Sequence, residues 1–234
     1  MKQLFEDIQV HNSLNPKLWD EENQLLPEVK SKIVDIVEQF EEDLYNIPID
    51  IVDIELVGSN CSFNYTEHSD LDVHIICNFD AVPISPEILQ TVYNGKKSEF
   101  NKNYPISIRG IEIEMYVQDV NSGITSNGIY SVCNDEWIKF PQPITNITHY
   151  DTSEEVNKWK KKIEHVLLFK EKEEIQNAID TLYLMRRNSI QVDGEYGKGN
   201  QIFKDIRNLG LLDELKGALK EATARELSME SFIR

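Results

Sequence analysis

The spacing of hydrophobic positions divides the chain into a mixed α/β part and a helical part. Between residues 25 and 44, apolar side chains recur every three or four positions, which predicts an amphipathic helix. From residue 49 onwards the apolar runs become short, β-branched and partly alternating, which is typical of strands. We expect strands at 49–57, at 71–79 and at 106–120 with a kink at Gly110, a short strand or hairpin at 129–140, and a helix at 88–104.

Beyond residue 148 the helical spacing returns. Apolar stripes are expected within 156–167, 175–185 and 200–219, and a Gly-rich loop separates the last two. Residues 1–24 are polar, with Leu14, Leu18 and Trp19 as the positions expected to pack. The predicted fold class is therefore α+β. A small mixed β-sheet core flanked by helices would occupy 1–148, and an α-helical region would occupy 149–234.

Composition narrows the classes of partner. The 234 residues carry 24 Lys and Arg against 41 Asp and Glu, a net charge of −17. Such a surface repels nucleic acid and anionic membranes, which argues against general DNA binding and against a membrane partner. The three cysteines are sparse, no apolar run approaches the roughly 20 residues that span a bilayer, and the first residues carry acids. We expect a cytoplasmic protein.

The candidate chemistry begins in the stretch GSNCSFNYTEHSDLDVH. Gly58 and Ser59 follow a predicted strand, where a Gly allows close backbone approach to a phosphate and the next segment can open a helix. Asp70 and Asp72 alternate along the next strand, so both carboxylates point to the same face. Two like charges there repel, and Mg²⁺ ions bound between them and a phosphate would offset that repulsion.

Neighbouring residues leave alternatives open. Glu112 and Glu114 share one face of the strand predicted at 106–120, and either could supply a third carboxylate. All these acids could equally form the solvent face of an edge strand. The row His68, Asp70, Asp72 and His74 also allows a transition-metal site of a phosphohydrolase, although only adjacent members could share one ion. His74 is expected to orient a ligand or a carboxylate.

Over about residues 50–118 the chain resembles the DNA polymerase β-like nucleotidyltransferase superfamily. The resemblance lies in a Gly-Ser pair, a following Asp-x-Asp and a later acidic residue in an apolar strand. LVGSNCSFNYTEHSDLDVHI, LNPKLWDEENQLLPEVK and NQIFKDIRNLGLLDELK are also similar to predicted nucleotidyltransferases of tailed phages. The resemblance implies a nucleotidyltransferase core with two Mg²⁺ ions, which Mn²⁺ could replace. If phage-encoded, the protein would act in the host cytoplasm.

Residue roles follow from the same resemblance. It implies that Gly58 and Ser59 contact the nucleotide phosphates, and that Asp70 and Asp72 are catalytic metal ligands. Glu114, which precedes Met-Tyr-Val as family acids commonly precede apolar residues, would be the third catalytic carboxylate and metal ligand, with Glu112 as the alternative.

The sequence departs from the family pattern in one respect. Many members carry Arg or Lys between the Ser and the first Asp, and this chain has none between Ser59 and Asp70. We therefore expect Lys198, Lys204 and Arg207 to contact the nucleotide, with a solvated helix surface as the alternative.

The predicted function is Mg²⁺-dependent transfer of a nucleoside monophosphate from an NTP, ATP being the first choice, to an acceptor hydroxyl with release of pyrophosphate. The helical region would close over the nucleotide cleft. The acceptor would be a small molecule, a protein or an RNA end, of which the RNA end is disfavoured by the net charge. The alternatives are a catalytically degenerate nucleotide-binding or interaction protein and a metal-dependent phosphohydrolase.

Overall fold

The computed structural model describes residues 10–67, 69–143, 148, 150–194 and 196–228. These residues divide into two compact units, and the boundary between the units falls in the undescribed stretch 144–147. Among the described residues, the first unit holds six strands and two α-helices, and the second unit holds four α-helices.

One mixed sheet forms the centre of the first unit. Its strands in chain order are β1 (Ile51–Val57), β2 (Leu71–Cys77), β3 (Ser107–Ile108), β4 (Ile111–Asp119), β5 (Ile129–Ser131) and β6 (Glu136–Lys139). The order across the sheet is β3-β4-β2-β1-β5-β6. Strands β2 and β4 are parallel, and the other described pairs are antiparallel. The end of β1 therefore lies beside the beginning of β2, at the same edge of the sheet as the beginning of β4.

Two helices contribute to the apolar core of this unit, α1 (Pro27–Asp43) and α2 (Pro86–Asn103). Alternate apolar positions of β1, β2 and β4 are buried in one cluster with the buried faces of these helices. Phe40 of α1 meets Phe100 of α2 edge to face, with ring centroids 5.5 Å apart. The period of two along the strands places the polar residues on the opposite face, where the candidate site lies.

The N-terminal segment packs as expected. Leu14, Leu18 and Trp19 are buried in the same cluster as α1 and the sheet. The indole of Trp19 stacks on that of Trp137 from β6, with ring centroids 4.6 Å apart. This segment is thus part of the first unit's core and stands close to the turn that follows β1.

The strand predicted at 106–120 is a hairpin instead of one kinked strand. Strands β3 and β4 pair antiparallel through Ile108 and Ile111, and the turn between them is formed by Arg109 and Gly110. Both turn residues have positive φ, 53° and 79°. Two consecutive residues with positive φ form a tight turn that reverses the chain. The sequence shows only one glycine within an apolar run here, so this turn was not predicted.

The second unit consists of α3 (Ser153–Phe169), α4 (Lys172–Asp193), α5 (Lys198–Asn208) and α6 (Leu211–Leu227). The stripes predicted at 156–167 and 175–185 are the buried faces of α3 and α4. The stripe predicted at 200–219 belongs to two helices, because Gly210 takes a φ of 76° and separates α5 from α6.

The α+β class, with a mixed sheet flanked by helices and a helical C-terminal region, is confirmed. None of the helices that the structure describes is long and apolar enough to cross a membrane.

Candidate active site

The Gly58–Ser59 turn lies at the end of β1. It continues as a single 3-10 turn, Ser59–Cys61, where the sequence suggested that a helix could open. Gly58 has a φ of 77°, and a Cβ added there would lie 2.0 Å from Oδ2 of Asp72. Only glycine lets the backbone pass this close to the carboxylate while adopting positive φ. The turn and Asp72 are therefore in direct contact.

Asn60, which follows this turn, is completely buried and connects it to the start of β2. Its Nδ2 donates to the backbone oxygens of Ser69 (3.1 Å) and Asp70 (2.8 Å). Its Oδ1 accepts from Nδ2 of Asn15 (2.8 Å), and its backbone oxygen accepts from Nε1 of Trp19 (2.8 Å). The sequence reasoning missed this residue. Its hydrogen bonds fix the backbone from which the Asp70 carboxylate projects.

Hydroxyl groups line the same turn. Oγ of Ser59 donates to Oγ of Ser69 (2.8 Å), which in turn accepts from the backbone N–H of Thr66 (2.9 Å). A serine hydroxyl is one donor and two acceptors, so this chain of bonds orients the hydroxyl of Ser59 beside the Gly58 backbone. Ser59 is half-buried, as a residue that contacts a ligand phosphate would be.

The carboxylates lie at the same edge of the sheet. In the parallel pairing of β2 with β4, Asp72 is directly opposite Glu114, so both side chains point to one face. Asp70 precedes β2 and is exposed. Glu112 is also exposed and pairs with Ser107 of β3. Of the two glutamates, Glu114 is thus the one across from Asp72.

The donor set fits a hard cation. Asp70, Asp72 and Glu114 offer carboxylate oxygens, the donors that Mg²⁺ prefers. Among the described residues, no three His, Cys, Asp or Glu side chains already converge into a metal-ligand group. The contact between Asp72 Oδ2 and Gly58 places one of these carboxylates directly against the turn.

Tyr116 and Lys97 border the carboxylates, and the sequence reasoning missed both. Tyr116 follows Glu114 by two positions on β4, so the two side chains lie on one face of the sheet. Burial first, and then a hydrogen bond with the Glu114 side chain and its charge, raise the pKa of Tyr116. Nζ of Lys97, from α2, lies 4.2 Å from the centre of the Tyr116 ring. The Tyr116 hydroxyl therefore stays protonated beside Glu114.

His74 contacts this group from β2. Its Nδ1 hydrogen-bonds Oε1 of Gln118 (2.9 Å), and its ring lies 4.9 Å from that of Tyr116. Burial lowers the pKa of His74, and the bond to Gln118 opposes the shift only in part. The His74 ring thus packs against Tyr116, which lies beside Glu114. His68, the other histidine of the predicted row, lies outside the described residues.

Cys61, at the end of the 3-10 turn, is a buried thiol. Burial, and to a smaller extent the charge of Asp72, raise the pKa of Cys61 well above its ordinary value. A protonated thiol is a poor nucleophile and a poor metal ligand.

The basic residues predicted to contact a nucleotide lie in the second unit. Lys198 forms an ion pair with Glu155 of α3. Lys204 is half-buried and Arg207 is exposed, about one turn apart on α5. Gly58, Ser59 and the carboxylates belong to the first unit. The roles of these three basic side chains stay predictions.

Asn60→Ala is expected to lower the free energy of unfolding by about 3 kcal/mol. The change leaves the carbonyls of Ser69 and Asp70 without their buried donor, and each orphaned group costs about 1–3 kcal/mol. Urea denaturation measures the loss. Asn94→Ala, at an exposed position of α2, is the control and should stay within about 0.5 kcal/mol of wild type. Equal stability of the two variants would contradict the role assigned to Asn60.

Comparison with protein-family models gives no match, and comparison with curated proteins gives none either. Among solved structures, the chain is similar to a STING-associated CdnE c-di-GMP synthase from Capnocytophaga granulosa. The two are 14% identical, the match covers 86% of this chain and 84% of that chain, and the TM-score is 0.26. A TM-score of this size assigns neither fold nor activity.

Proposed function

We propose that this protein is a Mg²⁺-dependent nucleotidyltransferase, which moves a nucleoside monophosphate from an NTP to an acceptor hydroxyl and releases pyrophosphate. The observation that carries the proposal is the contact between Gly58 and Oδ2 of Asp72. This contact brings a backbone turn suited to phosphate next to the carboxylates at the edge of the sheet. Asp72 lies opposite Glu114 there, and Asp70 is the residue before β2.

Each side chain has a defined task in this reaction. The Gly58–Ser59 turn binds the phosphates, and the Ser59 hydroxyl turns its proton from Oγ of Ser69 to one of the phosphate oxygens. Asp70, Asp72 and Glu114 would hold two Mg²⁺ ions. When bound, the ions supply charge neutralisation at the phosphates and orient the attacking and leaving oxygens.

The chemical step is an in-line displacement. The acceptor oxygen bonds to the α-phosphorus while the bond from that phosphorus to the bridging oxygen breaks, and the electron pair leaves with pyrophosphate. Glu114 accepts the proton of the attacking hydroxyl. Tyr116, through its hydrogen bond, holds the Glu114 carboxylate on the face shared with Asp72.

Partners follow from charge and from the site. The net charge of −17 favours a small-molecule or protein hydroxyl as acceptor over an RNA end. ATP is the first NTP to test, Mn²⁺ should replace Mg²⁺, and we place the protein in the cytoplasm. Lys198, Lys204 and Arg207 are further proposed contacts of the nucleotide.

The direct test is incubation with each α-³²P-labelled NTP, MgCl₂ and pools of small-molecule, protein and RNA acceptors. We expect one NTP to label one pool, with stoichiometric pyrophosphate and complete inhibition by EDTA. Absence of pyrophosphate with every NTP and every pool would overturn the proposal. Tightly bound zinc together with phosphoesterase activity would establish the phosphohydrolase alternative.

Tyr116→Phe should lower kcat about tenfold and leave the KM for the NTP nearly unchanged. The variant keeps the ring beneath Lys97 and loses the hydrogen bond to Glu114, and a bond to a charged group contributes about 1.5–3 kcal/mol. Steady-state kinetics measure the effect. Tyr93→Phe is the matched control, because the Tyr93 hydroxyl donates to the backbone oxygen of Pro48 (2.6 Å). A similar fall in kcat for both variants would contradict the role of Tyr116.

A further inference from the structure

A triphosphate at the Gly58–Ser59 turn needs positive charge from outside the local sequence. No Lys or Arg stands between Ser59 and Asp70, whereas the site carries several carboxylates. Lysine and arginine are the usual partners of phosphate oxygens, since their charge-assisted hydrogen bonds are roughly twice as strong as neutral ones. The cation must therefore come from a residue outside this segment.

The loop that precedes β5 lies directly on the turn. The backbone N–H of Gly58 donates to Oγ of Ser126 (3.3 Å). Nδ2 of Asn127 donates to Oγ of Ser62 (2.8 Å). A Cβ added to Gly128 would lie 1.9 Å from the backbone oxygen of Cys61, so this position requires glycine. Three consecutive residues thus hold the loop against both ends of the turn.

The end of β6 is attached to the same loop. Nζ of Lys139 donates to the backbone oxygen of Ser126 (2.6 Å). Asn127 and Gln142 exchange two hydrogen bonds, from Nδ2 to the Gln142 oxygen (3.0 Å) and from the Gln142 N–H to Oδ1 (3.2 Å). Lys139 is exposed, and within the described parts of the chain no carboxylate forms an ion pair with it.

These contacts place the Ser126 hydroxyl beside the Gly58 amide, and the ammonium group of Lys139 on the backbone oxygen of the same serine. Since the Ser126 oxygen accepts from Gly58, its own proton can be donated to a ligand. The ammonium group of Lys139 has three protons and uses one on Ser126, which leaves two for a phosphate.

We propose that Ser126 and Lys139 form the second half of the phosphate site and bind the β- and γ-phosphates of the NTP, the part that leaves as pyrophosphate. This inference rests on the proposed function and assigns the missing cation to β6. The ammonium of Lys139 and the hydroxyls of Ser59 and Ser126 then surround the leaving group on the side of the turn away from Glu114, because β1, β5 and β6 lie on the other side of β2 from β4.

Isothermal titration calorimetry with inorganic tripolyphosphate in excess MgCl₂ tests the inference without knowledge of the base or the acceptor. We expect Lys139→Gln to weaken binding about tenfold, the loss of one charge-assisted hydrogen bond. Lys139→Arg should retain most of the affinity. Lys96→Gln, an α2 variant that loses an ion pair with Glu99, is the control and should bind like wild type.

Ionic strength separates a direct contact from a structural effect. Wild-type affinity should fall more steeply between 50 and 300 mM NaCl than that of Lys139→Gln, while the melting temperatures stay equal, since screening weakens only charged contacts. Equal affinities of wild type and Lys139→Gln would overturn the inference. A wild-type protein that binds no tripolyphosphate but releases pyrophosphate from an NTP would overturn it too, and would leave the proposed function standing.

Discussion

Asp72→Asn is expected to release pyrophosphate on the order of 10³ times more slowly than wild type. A metal ion contributes several kcal/mol to the stabilisation of charge in a transition state, and each 1.36 kcal/mol corresponds to about tenfold in rate. Asparagine keeps the shape of the side chain opposite Glu114 but removes the negative charge that would hold the ion. Initial rates of pyrophosphate release with the preferred NTP measure the effect.

Metal binding gives a second measurement for the same variant. A ligand that binds only the folded state stabilises it in proportion to the logarithm of its concentration, so MgCl₂ together with the NTP should raise the melting temperature of wild type. Asp72→Asn should lose this rise. Asp35→Asn, on the exposed side of α1, is the control and should keep both the rate and the rise. Retention of more than a tenth of wild-type activity by Asp72→Asn would contradict the assignment.

Gly58→Ala is expected to lower activity by at least 10²-fold. Its Cβ would lie 2.0 Å from Oδ2 of Asp72, so the carboxylate or the turn must move away from the position they share. A 1 Å misplacement of a catalytic group can cost about 10²-fold in rate. The positive φ of 77° adds a strain of about 1–2 kcal/mol for a residue with a Cβ.

Gly110→Ala separates the contact from the strain. Gly110 has nearly the same φ, 79°, but a Cβ added there meets no atom within 4 Å. Gly110→Ala should lose about 1–2 kcal/mol of stability from its positive φ. Gly58→Ala should lose at least as much, because its ψ of −161° lies in a region that essentially only glycine adopts, and it alone should lose activity. Urea denaturation and initial rates on the two proteins make the comparison. Equal activity of both variants would show that the Gly58–Asp72 contact has no catalytic role.

Local patterns in the sequence predicted most of the elements. The recurrence of apolar residues every three or four positions located α1, α3 and α4, and β-branched runs located β1 and β2. The turns at Gly110 and Gly210 were not predicted as element boundaries. Each depends on a single backbone dihedral, and the apolar pattern runs through both positions without interruption.

The site was predictable only where its residues are close in sequence. The alternating pattern predicts that Asp70 and Asp72 share one face, but the choice between Glu112 and Glu114 depends on the register between β2 and β4. Register between distant strands is a property of the folded sheet. The sequence therefore left both glutamates open, and the structure places Glu114 across from Asp72.

Other parts of the site gave no local signal. In the sequence, Asn60 looks like any other polar residue of a loop. Only the folded structure shows that it is buried and that it donates to Ser69 and Asp70. Lys139 approaches the turn because β5 pairs with β1 and β6 pairs with β5. In the sequence it is an isolated lysine in an apolar segment, and nothing there connects it to Gly58.

A crystal structure of the wild-type protein with Mg²⁺ and an α,β-methylene NTP analogue would show directly what the Gly58–Ser59 turn binds. We expect a triphosphate in hydrogen-bond contact with Ser59, and two ions that join it to Asp70 and Asp72, with Glu114 on the ion beside the acceptor position. A triphosphate that contacts neither Ser59 nor a metal ion on Asp70 and Asp72 would contradict it.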